Sequence, residues 1–257
     1  MVAARAPLVS IRAAYDHGGN MPDFSSLDYI AFAWFAIAWT GYTIYADYSP
    51  MRRHSVSAAM NGYRRRWIGE MLKRENRLVD TQTLGNLVTG IGFFASTTIL
   101  VVGGLFALLG ASDAAINALA DLPIAIATTR QAWEAKILMQ VLIFVYAFFK
   151  FAWAYRLSNY CAIMIGSAPQ RSECDAAVTD SYVTRLGRIT NLMGHHFNRG
   201  LRSYFFALAA LGWFVHPLLF IIAVTWVIFV LYRRDFRSRE FHLIGGGRGR
   251  HSQRYGP

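Results

Sequence analysis

Cysteine, lysine and charge in general are scarce in this chain. It has two cysteines, Cys161 and Cys174, and neither belongs to a CxxC motif or a Cys/His cluster, so neither a disulfide framework nor a metal site is indicated. Only 16% of its 257 residues are charged, and no charge interrupts the 32 residues between Asp80 and Asp113. Soluble domains carry about 25% charged residues. About 20 apolar residues suffice to cross a bilayer, so the composition predicts an integral membrane protein.

The charges that are present are mostly positive. Lys and Arg number 26 against 15 Asp and Glu, a formal net charge of +11, and all but three of the basic residues are arginine. A soluble protein of this charge would suggest nucleic acid as the partner. In a membrane protein the ordinary cause is cytoplasmic loops that face anionic headgroups. The expected partners are therefore membrane lipids, especially anionic ones, and not nucleic acid.

Four apolar stretches suggest membrane spans, namely residues 27–48, 84–109, 137–157 and 203–232. The last would form about 45 Å of helix against a hydrocarbon core of about 30 Å. Pro217 lies in its middle and favours a break there, because proline removes a backbone donor and restricts the preceding residue. The stretch is therefore either one long kinked helix or a hairpin.

The distribution of basic residues favours the hairpin. With spans at 197–214 and 217–236 and the N terminus outside, 21 basic residues lie on the cytoplasmic side and four outside. A single last helix would place the seven arginines of the tail outside, against the positive-inside rule. We therefore expect an all-α bundle of four or five transmembrane helices, with five favoured. Residues 1–26 form an N-terminal extension, 27–240 the membrane domain, and 241–257 a Gly/Arg-rich tail.

Residues 55–79 predict a basic amphipathic helix. Its apolar positions recur every three or four residues, and basic residues lie between them. Such a helix would lie in the headgroup plane with Trp67 turned inward. The residues expected to contact anionic lipid are Arg64, Arg65, Arg66, Lys73, Arg74 and Trp67. Packing against the rest of the protein is an alternative, and the two are compatible. A similar pattern at 178–197 predicts a second cytoplasmic helix.

Small residues recur four apart in the second span, at Gly92 and Ser96 and again at Gly103 and Ala107. This spacing lets another helix, from this chain or a partner, approach closely. Residues 90–95 also match a GxGxxA dinucleotide pattern. No predicted strand precedes them and they lie in an apolar span, so we assign no dinucleotide site.

Five polar residues in or beside the spans are candidates for a transport or polar site: Lys150, Glu75, Asp80, Asn86 and His216. A lysine at mid-bilayer costs about 2.5–3.5 kcal/mol on insertion scales. Snorkelling or a cation–π contact with nearby Phe explains Lys150 more simply than ion binding. Headgroup and intrahelical pairing likewise explains the cluster from Glu75 to Asn86 better than a substrate does. The expected role of His216, just before Pro217, is to cap the turn or to lie at an interface.

No GxSxG, HExxH or P-loop pattern is present, and no Cys/His pair has catalytic spacing. The sequence therefore assigns no catalytic residue, no cofactor and no metal ligand.

Several segments together resemble one known family. They are residues 75–82 (ENRLVDTQ), 90–97 (GIGFFAST), 144–153, Asn198-Arg199-Gly200 and 230–236 (VLYRRDF). The chain resembles the domain of unknown function family 599 from about residue 27 to 240. The resemblance implies a bacterial, multi-spanning protein of the inner membrane. That family has no assigned activity, so no functional residue carries over.

The sequence favours a non-catalytic protein that acts by association. It would be an accessory or structural subunit of a larger membrane complex, with an energy-transducing complex as one candidate, or a lipid-organising protein. The alternative is a small transporter or channel. A third hypothesis is a membrane enzyme that acts on lipid or quinone.

Overall fold

A computed structural model describes residues 24–51, 55–120, 123 and 128–237. Residues 1–23 of the predicted extension and the whole predicted tail, 241–257, lie outside the described residues. The described chain forms eight α-helices and one 3-10 turn, Arg171–Glu173. The α-helices are α1 (Ser26–Tyr48), α2 (Val56–Leu72), α3 (Leu78–Gly110), α4 (Ser112–Ala120), α5 (Arg130–Gly166), α6 (Ala176–Ala210), α7 (Gly212–Val215) and α8 (Pro217–Phe236).

Helix α5 is the centre of the bundle, with α6 along one side and α3 along another, while α1 packs along α8. Aromatic side chains fill the core between α1, α6 and α8, where Phe35, Phe206 and Phe220 are almost wholly buried. A close approach joins α5 and α6, because a Cβ at Gly200 would lie 2.7 Å from a ring carbon of Phe151. In lipid, packing of this kind is a main source of helix association.

The break predicted at Pro217 is present. Helix α6 ends at Ala210, and α8 begins at Pro217 with His216 in extended conformation as its N-cap. The helices are antiparallel, because Trp213 stacks on Phe220 at one end of the hairpin and Arg234 lies over the ring of Phe205 further along it. Proline is well suited to the first turn of α8, because backbone N–H groups there have no acceptor within the helix, so no hydrogen bond is lost.

The helix predicted over residues 55–79 is shorter in the structure. Helix α2 ends at Leu72 and not near residue 79, and a turn leads into α3 at Leu78. The turn has its own partners: the Asn76 side chain accepts a bond from the Leu78 N–H, and the Arg77 guanidinium donates to the carbonyls of Ala168 and Pro169. Such bonds satisfy the backbone groups left at helix ends.

The apolar side of α2 packs against this protein. Ile68, Met71 and Leu72 are buried in a cluster with Leu186 of α6 and Ile165 of α5. The predicted cytoplasmic helix at 178–197 is the first part of α6, which continues without interruption into the predicted span.

Among the described residues, α3, α5 and α8 are long and apolar enough to cross a membrane. Helices α1 and α6 do not meet the same criterion of length and composition, since polar residues interrupt their apolar runs.

Candidate functional site

Asp47, in the last turn of α1, is the centre of a buried ionic cluster. Its side chain is 3% exposed, and Arg199 and Arg202 of α6 donate to its two oxygens at 2.6 and 2.8 Å. The His195 Nδ1 lies 3.8 Å away. A buried carboxylate needs such partners, since an unpaired one would carry a large desolvation penalty. The cluster therefore fixes α1 against α6.

A cavity of about 430 Å³ adjoins this cluster, between the end of α1, helix α2, helix α6 and the end of α8. Polar side chains make up much of its lining, among them Arg64, Arg188, Arg202, Asn61, Asn191 and His195. A second cavity of about 320 Å³ lies beside it, and Arg64 and Arg202 line both. We call the two cavities together the basic pocket.

Arg64 reaches into the bundle because of a glycine on the facing helix. A Cβ at Gly194 would lie 2.6 Å from Arg64 Nη2, so any larger residue would have to displace the guanidinium. Arg64 Nη1 donates to Asn61 Oδ1 at 2.9 Å, and no carboxylate of the described residues lies within 4 Å of it. Burial lowers the pKa of Arg64. A guanidinium nevertheless stays charged in proteins, so the pocket holds a positive charge without an ionic partner.

Two lining atoms are buried and lack a hydrogen-bond partner within the described chain, namely Arg202 Nη1 and Asn191 Oδ1. The lining carboxylate of Asp235, by contrast, is engaged: the Tyr42 hydroxyl donates to it at 2.9 Å and Arg234 Nε donates at 3.1 Å. The pocket thus combines surplus cationic groups with unused hydrogen-bonding capacity.

A second charged group is buried at the opposite end of the bundle. Trp213 Nε1 donates to Asp28 of α1 at 2.7 Å, while Lys136 Nζ donates to the Trp213 carbonyl at 3.0 Å and lies 3.9 Å from the Asp28 carboxylate. Lys136 directly precedes the predicted span 137–157, and in the structure it lies inside α5 and is 4% exposed.

The predicted polar residues are not brought together into one site. Lys150 Nζ lies 5.0 Å from the ring centre of Tyr146, a cation–π contact with a tyrosine on its own helix. His216 lies at the start of α8, where its Nδ1 accepts a bond from the Leu218 N–H at 3.0 Å. It therefore caps that helix, as its position before Pro217 predicts.

Asp80 has a structural role at the junction of α2 and α3. It is wholly buried and accepts bonds from Trp67 Nε1 at 2.6 Å and Arg74 Nη1 at 2.5 Å. Glu75 is exposed, and Asn86 is bonded to Gln82 at 3.4 Å on the surface of α3.

The other residues predicted to touch lipid or helices lie at the surface. Arg65, Arg66 and Lys73 are exposed on α2, and Lys73 pairs with Glu70 at 2.9 Å. On α3, Gly92 faces Tyr155 of α5, since a Cβ there would lie 3.8 Å from its ring. A Cβ at Gly103 would meet nothing within 4 Å, and Ser96 and Ala107 are uncovered by the rest of the chain.

Sequence reasoning missed the ionic residues that hold the bundle together: Asp28, Asp47, Lys136, Arg199 and Arg202. One signal was available, because Asp28 and Asp47 are the two acidic residues of an otherwise apolar predicted span. An acid inside such a segment needs a cationic or hydrogen-bonding partner elsewhere in the fold. Within the described ranges, no group of three or more His, Cys, Asp and Glu residues is placed to hold a metal ion.

The all-helical fold, with three helices of spanning length and composition, is that of a helical membrane protein. The sequence profile of the family described as "Protein of unknown function, DUF599" matches residues 30–240, and the chain belongs to that family, as its resemblance predicted. No curated protein and no solved structure matches the chain.

Proposed function

We propose that this protein is a non-catalytic, five-span protein of the bacterial inner membrane that acts by association. In this proposal it is an accessory or structural subunit of a larger membrane complex, or it organises lipid, and its N terminus lies outside with its C-terminal tail in the cytoplasm.

The observation that carries the proposal is the uncovered surface of α3. This helix has 33 residues, and only Asp80, Leu84, Ile91 and Thr98 are buried. Its partners in the chain are mainly α5 and the short α4. A Cβ at Gly85, Gly90, Gly103 or Gly104 would meet no atom within 4 Å. A long apolar helix with small residues on its open face supports close packing by a helix of another protein.

The basic residues support the proposed orientation. Arg64, Arg65, Arg66, Lys73 and Arg74 all belong to α2 or the turn after it, and the first part of α2 lies beside the ends of α1 and α8. The opposite end of the bundle has the pair of Lys136 with Asp28 and the pair of Arg130 with Asp113. Exposed arginines at one end suit contact with the anionic lipids of the cytoplasmic leaflet.

The test is gentle isolation of the tagged full-length protein from its native membrane, followed by native-gel mass and identification of what copurifies. A stoichiometric membrane-protein partner is expected. Gly103→Leu should release that partner by filling the open face, whereas Gly41→Leu, at an equally open position on α1, should not. Recovery of the wild-type protein alone, with every membrane complex intact after its deletion, would contradict the subunit proposal.

A further inference from the structure

We propose that the basic pocket binds a phosphate group, supplied by a lipid headgroup or by a soluble phosphate. For a lipid headgroup as the source, it rests on the proposed association with anionic lipid. It goes further by naming the binding site and the phosphate as the group bound. It does not depend on a protein partner.

The first argument is the fixed donor at the pocket wall. Arg202 is 6% exposed, and its Nη2 is held by Asp47 at 2.8 Å. The guanidinium is therefore fixed in place, while its Nη1 is buried with no hydrogen-bond partner in the described chain. Most buried polar groups in folded proteins have a partner, so an unused donor on a residue that lines the pocket points to a ligand. A phosphate oxygen would accept from it.

The second argument is charge. The lining carboxylates of Asp47 and Asp235 are already bonded by arginine or tyrosine side chains. Arg64 and Arg188 have no carboxylate of the described residues within 4 Å. A dianionic phosphate would balance these charges, and guanidinium groups match phosphate through paired N–H donors.

The third argument is shape. Gly194 makes room for the Arg64 guanidinium on the far wall, and Arg188 is exposed at the rim. The Asn191 side chain, whose Oδ1 is buried and unpaired, can turn its amide N–H toward an anion. The first of the two cavities, with a volume of about 430 Å³, is in the size range of small-ligand sites and is larger than a bare halide needs.

The test uses the full-length protein, purified in detergent and stripped of lipid. In one arm inorganic phosphate is titrated and binding is followed by calorimetry and by the shift in thermal unfolding, with chloride as the reference anion. In the other arm phosphatidic acid and phosphatidylcholine compete for the protein, and retained lipid is measured by native mass spectrometry. Saturable binding in the first arm identifies a soluble phosphate. Preference for phosphatidic acid in the second arm alone identifies a headgroup. Either result supports the site.

Arg64→Gln should weaken the binding observed by about tenfold or more, since it removes a charged donor from the pocket. Arg185→Gln is the matched control, because Arg185 is exposed on α6 and does not line the basic pocket. It should leave affinity within about twofold, as expected for a screened surface charge.

Gly194→Ala is a second variant that keeps every charge. Its methyl group displaces the end of the flexible Arg64 side chain, so affinity should fall while the unfolding temperature changes little. If Arg64→Gln does not fold, the affinity of Gly194→Ala tests the proposal instead. Absence of binding in both arms, or equal loss in Arg64→Gln and Arg185→Gln, would overturn the proposal. Loss of a protein partner in the isolation experiment would leave it standing, so the two failures are distinguishable.

Discussion

Asp28 and Asp47 lie near opposite ends of α1, and each is buried against cationic side chains of other helices. Asp28 lies beside Lys136 of α5, and Asp47 is bonded by Arg199 and Arg202 of α6. Their separation of 19 positions corresponds to roughly 28 Å of helix, close to the thickness of a bilayer core of about 30 Å. The two carboxylates thus mark the two ends of an apolar section and join α1 to the rest of the bundle at both.

Loss of the Asp47 charge should destabilise the fold strongly. Asp47→Ala leaves Arg202 buried without its anion, and breaking a buried pair in this way costs about 3–5 kcal/mol. The free energy of unfolding, measured in mixed micelles with a denaturing detergent, should fall accordingly. Asp113→Ala is the control, because the pair of Asp113 with Arg130 is exposed. A loss of similar size in both variants would contradict this role for Asp47.

The pair at the other end should show coupling between its members. Lys136→Met removes the cation beside Asp28, and Asp28→Asn removes the anion but keeps a hydrogen-bond acceptor for Trp213. Each single variant should lower the unfolding free energy. The decrease in the double variant should be smaller than the sum of the two single decreases. Coupling energies of about 0.5–3 kcal/mol are usual for residues in contact. Strict additivity would show that the two charges do not interact.

Gly200 should not tolerate a side chain. The Cβ of Gly200→Ala would lie 2.7 Å from the Phe151 ring, which is itself buried and stacked on Phe94. Overpacking of this kind costs about 1–3 kcal/mol, measurable as a lower unfolding free energy. Gly103→Ala is the matched control in an open position and should be neutral or slightly stabilising, because alanine is the better helix former. Equal effects at the two glycines would argue against the close approach of α5 and α6.

Asp80 should control the turn between α2 and α3. Asp80→Ala removes the acceptor of Trp67 and the anion of Arg74, leaving a buried indole N–H unpaired. The turn at residues 73–77 contains basic residues that trypsin recognises, so cleavage there should become faster in the folded, detergent-bound protein. Glu70→Gln breaks only the exposed pair with Lys73 and should leave the rate unchanged. An unchanged rate in Asp80→Ala would contradict the role of Asp80.

The helical class, the apolar stretches and the break at Pro217 could all be predicted from the sequence. Each depends on a local property: hydropathy over about 20 residues, or the missing N–H of one proline. The family could also be identified, because its motifs are contiguous segments of the chain. A helix beginning near residue 55 could be predicted for the same reason, although its end at Leu72 depends on side-chain bonds in the following turn.

The partners of the buried charges were decided by tertiary structure alone. Lys136 lies next to a predicted span, and its partner is an aspartate 108 positions earlier in the chain. In the sequence, Arg64 cannot be distinguished from its two neighbouring arginines. In the structure, the absence of a side chain at Gly194 on the facing helix leaves room for the Arg64 guanidinium to point into the pocket. Hydropathy and periodicity describe each helix by itself. The sequence alone determined which segments are helices that suit a bilayer. Helix packing determined which of their polar groups meet, because contacts such as Asp28 with Lys136 and Asp47 with Arg202 join residues more than a hundred positions apart.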